Sequence, residues 1–286
     1  MLKRQTSGSV ICTSCGVLVG VGDDRCYNCG RRNPGLWGYA PALRNLGRDL
    51  GFVPFVIGTC FFLYVLALIA SQGNIGMGGM MSFLAPSGDA LVRFGASGAG
   101  PVFRLGFWWT VLSASWLHGS ALHILMNMLW VRDLGPAVAQ LYGPGRLIII
   151  YISGGVVGFT LTSIAGAYLW WMPFFLRGAV SITVGASASL FGLFGALVYY
   201  GRRTGSRTVG EAGMQYALML GIFGFIMPGI DNWAHGGGFL GGYVAARLLD
   251  PLKPERIDHL ALAIVGLAVS LLAVAGTFIY TLRFSN

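Results

Sequence analysis

The chain has 286 residues, of which 55% are hydrophobic and only 10% charged, with a net charge of +9 and a mean hydropathy of +0.68. Apolar runs about as long as a bilayer is thick exclude a water-soluble globular enzyme and place the chain in the all-α polytopic membrane class. On such a chain a basic balance follows from topology and anionic lipid headgroups, so the lipid bilayer is the expected partner and no nucleic acid is.

The first fifty residues are polar or mixed and lack the early apolar core of a cleavable signal peptide, so the first span is expected to target the protein as well. Within them, Cys12-Thr-Ser-Cys15 and Cys26-Tyr-Asn-Cys29 form two C-x-x-C pairs, each followed by glycine. Two such knuckles present four thiolates to one tetrahedral ion, which predicts a small zinc ribbon over residues 1–33 with a structural Zn²⁺. A redox dithiol or disulfides would be the rival reading, but there are two matched pairs and the segment is expected to face a reducing cytosol. Residues 34–52, with Pro34, Pro41, Arg44 and Arg48, read as a basic cytoplasmic linker. The ribbon's cytosolic partner is unknown.

Apolar runs between charged or Gly/Pro-rich breaks predict seven spans at about 53–70, 121–141, 147–166, 186–200, 214–228, 233–249 and 260–282. With a cytoplasmic amino terminus, fifteen of the nineteen Lys/Arg fall inside and only Arg93, Arg104, Arg177 and Arg283 outside. The positive-inside bias therefore predicts amino terminus in and carboxyl terminus out. Cys60, in the first span, reads as an apolar residue facing lipid or protein.

Between the first two spans, the Trp-dense stretch from Gly106 to His118 is expected to lie partly in the outer leaflet, where indole rings sit at headgroup depth. The second span carries His123 and Asn127 one turn apart on one face. The bland reading of such a pair is a helix–helix hydrogen bond. Arg132 and Asp133, further along, are expected to pair or snorkel.

The fourth span is short: residues 186–200 give roughly 22 Å of helix against a hydrocarbon core of about 30 Å. Ser187 therefore lies below the outer surface, and non-helical backbone must descend to meet it, as it does only where it lines a wet cavity or is buried in protein. The sixth span opens with Asp231 or Asn232 as N-cap and carries His235. Small residues recur every four positions at Ala188, Gly192 and Ala196 on one span and at Gly238, Gly242 and Ala246 on the other. Packing these stripes together would bring Ser187 and His235 side by side.

Spans two, four and six enter from the same face, and His123/Asn127, Ser187 and His235 all fall within their first two turns. A serine needs a base to remove its proton, and neutral imidazole suits that task near pH 7. The pattern predicts a Ser187–His235 dyad, with an oxyanion site from the Asn127 amide, a His123 ring N–H and the Ser187 backbone N–H. No carboxylate shares their depth; Asp231 is assigned to capping. The hinge from Asp250 to Arg256 and the seventh span carry no catalytic candidate, and His259 reads as interfacial.

At these residues the chain resembles the rhomboid intramembrane serine proteases, from about Phe107 to Leu249. The resemblance rests on Trp-Leu-His118 with His123-Ile-Leu-Met-Asn127, then Gly185-Ala-Ser187-Ala, then Ala234-His235-x-x-Gly238-x-x-x-Gly242. It implies a six-helix protease core at 53–249, followed by a hinge and seventh helix at 250–286. It also implies a serine endopeptidase with no catalytic cofactor, acting on transmembrane protein substrates, with its active site opening to the outer face. The chain departs from the family at Ala188, where glycine usually follows the serine, at Thr110, where arginine commonly follows tryptophan, and at Ala139, where an acidic residue is often found. Two other classes remain in view. One is a non-proteolytic protein that binds transmembrane clients with the ribbon as cytosolic adaptor. The other is a transporter using His235 and Asn127, disfavoured by the scarcity of acidic residues in the spans.

Overall fold

The computed structural model describes residues 4–41, 48–169, 171–172, 181–227 and 229–284. Lys3, Arg44 and Arg177 of the charge pattern, and Pro228 at the predicted end of the fifth span, lie outside the described residues. The chain forms a small amino-terminal ribbon followed by a helical bundle. Strands β1 (Ser9–Ile11) and β2 (Leu18–Gly20) pair antiparallel with Val10 opposite Val19. Each of the two cysteine knuckles closes on a glycine. Gly16 and Gly30 donate their N–H to the carbonyls of Cys12 and Cys26 at 3.0 Å, and both adopt positive φ (+78° and +71°). Only glycine takes that turn without strain, which explains its place after each pair.

Among the described residues seven long helices follow: α1 (Phe52–Ala70), α2 (Ala121–Tyr142), α3 (Pro144–Tyr168), α4 (Ser187–Thr204), α5 (Arg207–Ile226), α6 (Asn232–Leu248) and α7 (Ile257–Phe284). They match the predicted spans in order. Among the described residues, α1, α3, α5 and α7 are long and apolar enough to cross a membrane by composition alone. Helices α2, α4 and α6 carry the polar and glycine-rich motifs, and α4, with α3 beside it, is the most enclosed, as helices at a bundle interior should be. Side-chain caps start two of them: Ser120 Oγ accepts from His123 N at 3.2 Å, and Asp231 Oδ1 from Ala234 N at 3.0 Å.

Two boundaries differ from expectation. Helix α4 runs past Tyr200 through Arg202 and Arg203 to Thr204, stopping at Gly205 with φ +76°. Its 18 residues are about 27 Å long. The guanidinium groups do not break it because cations are favoured in a last turn by the helix dipole. Helix α5 starts seven residues before its predicted first residue, since charged residues extend a helix beyond its apolar run. Cys60 is wholly buried and faces protein, and Arg132 pairs with Asp133 at 2.8 Å on the surface.

Helix α6 packs chiefly against α4 and α3. The two predicted stripes meet: a side chain at Gly238 would run into the Ala188 backbone, and one at Gly242 into the Gly192 backbone. A third stripe, on α3, joins them. A Cβ on Gly192 would sit 2.9 Å from the Gly154 Cα, and one on Gly158 at 2.9 Å from the Ala188 Cβ. Three backbones thus converge where a methyl group has no room.

At the opposite end from Ser187, Arg146 at the start of α3 is 2% exposed. Its guanidinium donates to the carbonyls of Asp250, Lys253 and Pro254 and to His259 Nδ1, at 2.6–3.3 Å. The Glu255 carboxylate accepts the Arg146 backbone N–H at 2.9 Å, and burial pushes that carboxyl above its usual range. The hinge between α6 and α7 is therefore wrapped around one buried cation, and His259 is part of that web rather than a free interfacial residue.

The convergence of backbones predicts which glycines matter. Gly192→Val is expected to destabilise the fold by roughly 1–3 kcal/mol through overpacking, read as a lower thermal midpoint in detergent. Gly221→Ala on α5, where a Cβ meets nothing within 4 Å, should be neutral or stabilising by up to about 1 kcal/mol. Equal effects of the two would show that the three-helix contact is not tight.

Candidate active site

Ser187 is the first residue of α4, and no side chain caps that helix. The backbone reaching it is non-helical, and Gly185 adopts φ +129°. Its Oγ lies 3.0 Å from His235 Nε2, one turn into α6. The two side chains meet because Ala188 and Gly238, their neighbours along the stripes, touch at backbone level.

The His235 ring lies flat on Phe191, with centroids 4.1 Å apart and planes 10° from parallel. Phe191 is one turn after Ser187 on α4, so one helix supplies both the hydroxyl and the surface that orients the imidazole. His235 Nδ1 is buried and has no hydrogen-bond partner among the described residues. For Nε2 to accept from Ser187, that Nδ1 must carry the ring proton. Asp231, one turn outward, is occupied elsewhere: besides capping α6 it accepts from Thr162 Oγ1 at 2.7 Å.

His123 stands beside Gly185, close to Ser187. Its Nδ1 accepts the Gly119 N–H at 3.3 Å, which leaves the ring proton on Nε2. A Cβ built on Gly185 would lie 2.6 Å from that Nε2 and 3.7 Å from Ser187 Oγ. Glycine at 185 therefore keeps open the gap between a ring N–H and the hydroxyl. Asn127 is buried one turn further along α2, and one of its amide N–H groups donates to the His123 carbonyl at 2.8 Å. The second N–H remains available.

Sequence reasoning missed the layer behind these groups. His118, wholly buried, accepts the Ala186 N–H on Nε2 at 3.5 Å, and its ring centroid is 5.2 Å from that of His123. Gly185 N–H donates to Ala114 at 3.0 Å, and Ser115 and Ser189 share a hydroxyl bond of 3.1 Å. The predicted interfacial stretch thus packs against the start of α4; of its tryptophans, Trp116 is buried and Trp108 exposed. The signals were present: His118 stood in the motif, and Phe191 lies four residues after Ser187 on the same helical face.

The four ribbon cysteines converge far from this cluster. Their Sγ atoms lie within 4.8 Å of one another, with Cys12–Cys29 at 3.8 Å and Cys15–Cys26 at 3.6 Å. A tetrahedral ion with metal–sulfur bonds of about 2.3 Å requires sulfur separations of about 3.8 Å, so the cluster fits Zn²⁺. The Val17 backbone N–H pulls the Cys15 thiol down to about 6, whereas burial pushes Cys12 up to about 11. A shared dication would hold both as thiolates.

The Rhomboid domain model matches residues 105–251. The chain is 32% identical over 195 residues to Rhomboid protease GluP of Bacillus subtilis (strain 168), covering 67% of this chain and 35% of that protein. It is 33% identical over 171 residues to RHOMBOID-like protein 7 of Arabidopsis thaliana, covering 58% of this chain and 50% of the other. Putative rhomboid protease YdcA of Bacillus subtilis is 25% identical over 155 residues, covering 53% and 72%. The chain thus spans about a third to a half of the length of the first two relatives. With a domain match over half its length and apolar helices long enough to cross a membrane, the chain belongs to the rhomboid family of integral membrane proteins.

Proposed function

We propose that this chain is an intramembrane serine protease that hydrolyses peptide bonds in or beside transmembrane segments of membrane proteins. Rhomboid proteins are known as enzymes of that kind, and the observation that carries the reading here is the 3.0 Å contact between His235 Nε2 and Ser187 Oγ. Ser187 is the nucleophile and His235 the base. As Oγ bonds to the carbonyl carbon, its proton passes to Nε2 and the carbonyl π electrons move onto oxygen. Collapse of the tetrahedral intermediate expels the amine, which takes the proton from His235. Water then attacks the acyl-enzyme, again losing a proton to Nε2, and release of the acid restores the Ser187 hydroxyl.

The oxyanion is met by three donors: His123 Nε2–H, the free Asn127 amide N–H, and the Ser187 backbone N–H at the positive end of α4. Phe191 holds the ring in plane, a role a carboxylate plays in triads. The reaction needs no cofactor, and the gap beside Gly185 is where the scissile carbonyl fits. A transmembrane substrate must unwind to reach it, which favours small, helix-breaking residues near its outer end.

In this reading residues 1–33 are the zinc ribbon, 34–52 a cytoplasmic linker, 53–249 the protease core and 250–286 the hinge and seventh helix. The amino terminus is cytoplasmic, the carboxyl terminus outside, and the site opens to the outer face. Cys12, Cys15, Cys26 and Cys29 hold a structural Zn²⁺ that organises the ribbon and takes no part in hydrolysis.

A fluorophosphonate probe should label the detergent-solubilised protein, and Ser187→Ala and His235→Ala, both folded, should abolish labelling. Unchanged labelling of either variant would sink the dyad. Asn127→Ala should lower kcat about 10²–10³-fold, corresponding to roughly 2.7–4 kcal/mol of lost oxyanion stabilisation, with the helical circular dichroism retained.

Gly185→Ala is expected to reduce turnover at least as much, because the methyl group enters the gap between His123 and Ser187. Wild-type kinetics in that variant would place the carbonyl elsewhere. The purified protein should carry about one zinc per chain by elemental analysis, lost on acidification as protons compete for the thiolates. Cys26→Ser should lower the zinc content; a metal-free wild type would refute the ribbon assignment.

A further inference from the structure

Helix α7 lies beyond residue 251, where the match to the family domain ends, yet it reaches the segment that frames the start of α4. Trp116 Nε1 donates to Ser270 Oγ at 3.1 Å, and Trp109 Nε1 donates to Thr277 Oγ1 at 2.8 Å. The two acceptors are seven residues apart, so they stand two turns apart on one face of α7. Both hydroxyls are buried, Ser270 at 3% exposure and Thr277 at 0%.

The chemistry of these bonds is directional. Ser270 Oγ donates its proton to Leu267 O at 2.8 Å, and Thr277 Oγ1 donates to Ala273 O at 2.7 Å. With the protons committed to their own helix, each oxygen presents only lone pairs outward. An indole N–H is a donor only, so each Trp–hydroxyl pair is complementary in a single sense. In a medium without competing water, breaking one leaves a buried donor unsatisfied. Ring contacts flank the bonds: Phe94 stacks on Phe278 with centroids at 4.9 Å, and Phe107 meets Tyr280 edge-on at 5.3 Å.

The tethered segment is short, and its other contacts point at the nucleophile. Between Trp109 and Trp116 lie Ala114, whose carbonyl accepts the Gly185 N–H, and Ser115, which bonds Ser189. Two residues after Trp116 comes His118, which accepts the Ala186 N–H. Ser113 Oγ anchors the same segment to Gly95 O at 2.6 Å. The residues immediately before Ser187, and Ser189 after it, are thus held by a segment that α7 holds at both ends.

We propose that Ser270 and Thr277 are positioning residues for the hydrolytic reaction: α7 sets the Trp109–Trp116 segment, which in turn sets the backbone from Gly185 to Ser189. This rests on the protease reading above. The seventh helix is then a working part of the site and not an appended anchor.

The test uses the full chain in detergent or nanodiscs, comparing wild type with Ser270→Ala/Thr277→Val and with the hydroxyl-retaining pair Ser270→Thr/Thr277→Ser. Three quantities are read: kcat and KM on a transmembrane substrate, the rate of fluorophosphonate labelling, and amide hydrogen exchange over residues 109–118 and 183–189. The hydroxyl-free pair should lose about tenfold in kcat and in labelling rate with KM within about twofold, and its exchange in both segments should rise by a similar factor. The hydroxyl-retaining pair should stay within about twofold of wild type in all three.

Unchanged exchange would overturn the proposal, as would faster exchange with unchanged kcat and labelling, or a loss that the hydroxyl-retaining pair shares. Should the double variant fail to fold, Trp109→Phe removes one indole N–H alone and is judged by the same criteria. A wild type that neither cleaves nor labels would remove the protease reading, while exchange in the variants would still decide whether α7 orders the segment.

Discussion

The contact on which the rest depends is the approach of α4, α6 and α3 to backbone distance. A hydrogen bond between Ser187 and His235 tolerates only a few tenths of an ångström, whereas a single added methylene between packed helices moves them further than that. The stripes at Ala188, Gly192, Gly238, Gly242, Gly154 and Gly158 remove that freedom by leaving backbone against backbone. The cost is intrinsic helicity: α6 contains five glycines in 17 residues, each about 1 kcal/mol less favourable than alanine in a helix interior. Such a sequence would be a poor helix in water. Inside a bilayer, unpaired backbone groups have no solvent to turn to, so the helix persists and the glycines become usable as contact surface.

Given that frame, the site is built from groups that each have one remaining valence. His123 receives an N–H on Nδ1 and so must carry its proton on Nε2. Asn127 gives one amide hydrogen to its own helix and keeps one. Asp231, among the described residues the one carboxylate within a turn of His235, has one oxygen on the α6 amino terminus and the other on Thr162. It therefore holds the helix that carries the imidazole and leaves the ring itself to Phe191. Orientation by stacking sets no carboxylate beside the ring, so no further buried charge needs its own solvation there.

The bundle was legible in the sequence wherever apolar length and small-residue spacing carried the information. The order of the seven helices follows from apolar run length, the Asp231 cap from residue type at a helix start, and the α4–α6 stripes with the proximity of Ser187 to His235 from a repeat of four. The ribbon was legible for a different reason, since each C-x-x-C pair ends on a glycine that takes positive φ. What was not legible depended on partners distant in sequence. Nothing local to Thr162 marks it as a ligand of Asp231, and Gly154 and Gly158 look like ordinary small residues until two other helices arrive. The tryptophans told only part: a Trp-dense stretch reads as interfacial because indoles favour headgroups, and Trp108 is exposed. Trp116 is instead buried, because a serine 154 residues away satisfies its N–H.

The same logic of satisfied donors explains why the seventh helix has a fixed place although the family domain ends before it. At one end Arg146 brings a charge into the protein, and it is compensated by three carbonyls of the hinge and by His259 rather than by a carboxylate on its guanidinium. A cation held by backbone carbonyls dictates the path of the chain that supplies them, so the hinge cannot swing without stripping a buried guanidinium of its acceptors. At the other end the α7 hydroxyls have given their protons to their own carbonyls and can only accept. The helix is therefore fixed at one end by a donor with too many hydrogens to leave unpaired, and at the other by acceptors matched to two indoles. Ring contacts such as Phe94 on Phe278 and Phe107 on Tyr280 add packing beside these bonds, but apolar contact alone is offered by acyl chains as well. Polar complementarity is what gives α7 a unique seat on the bundle.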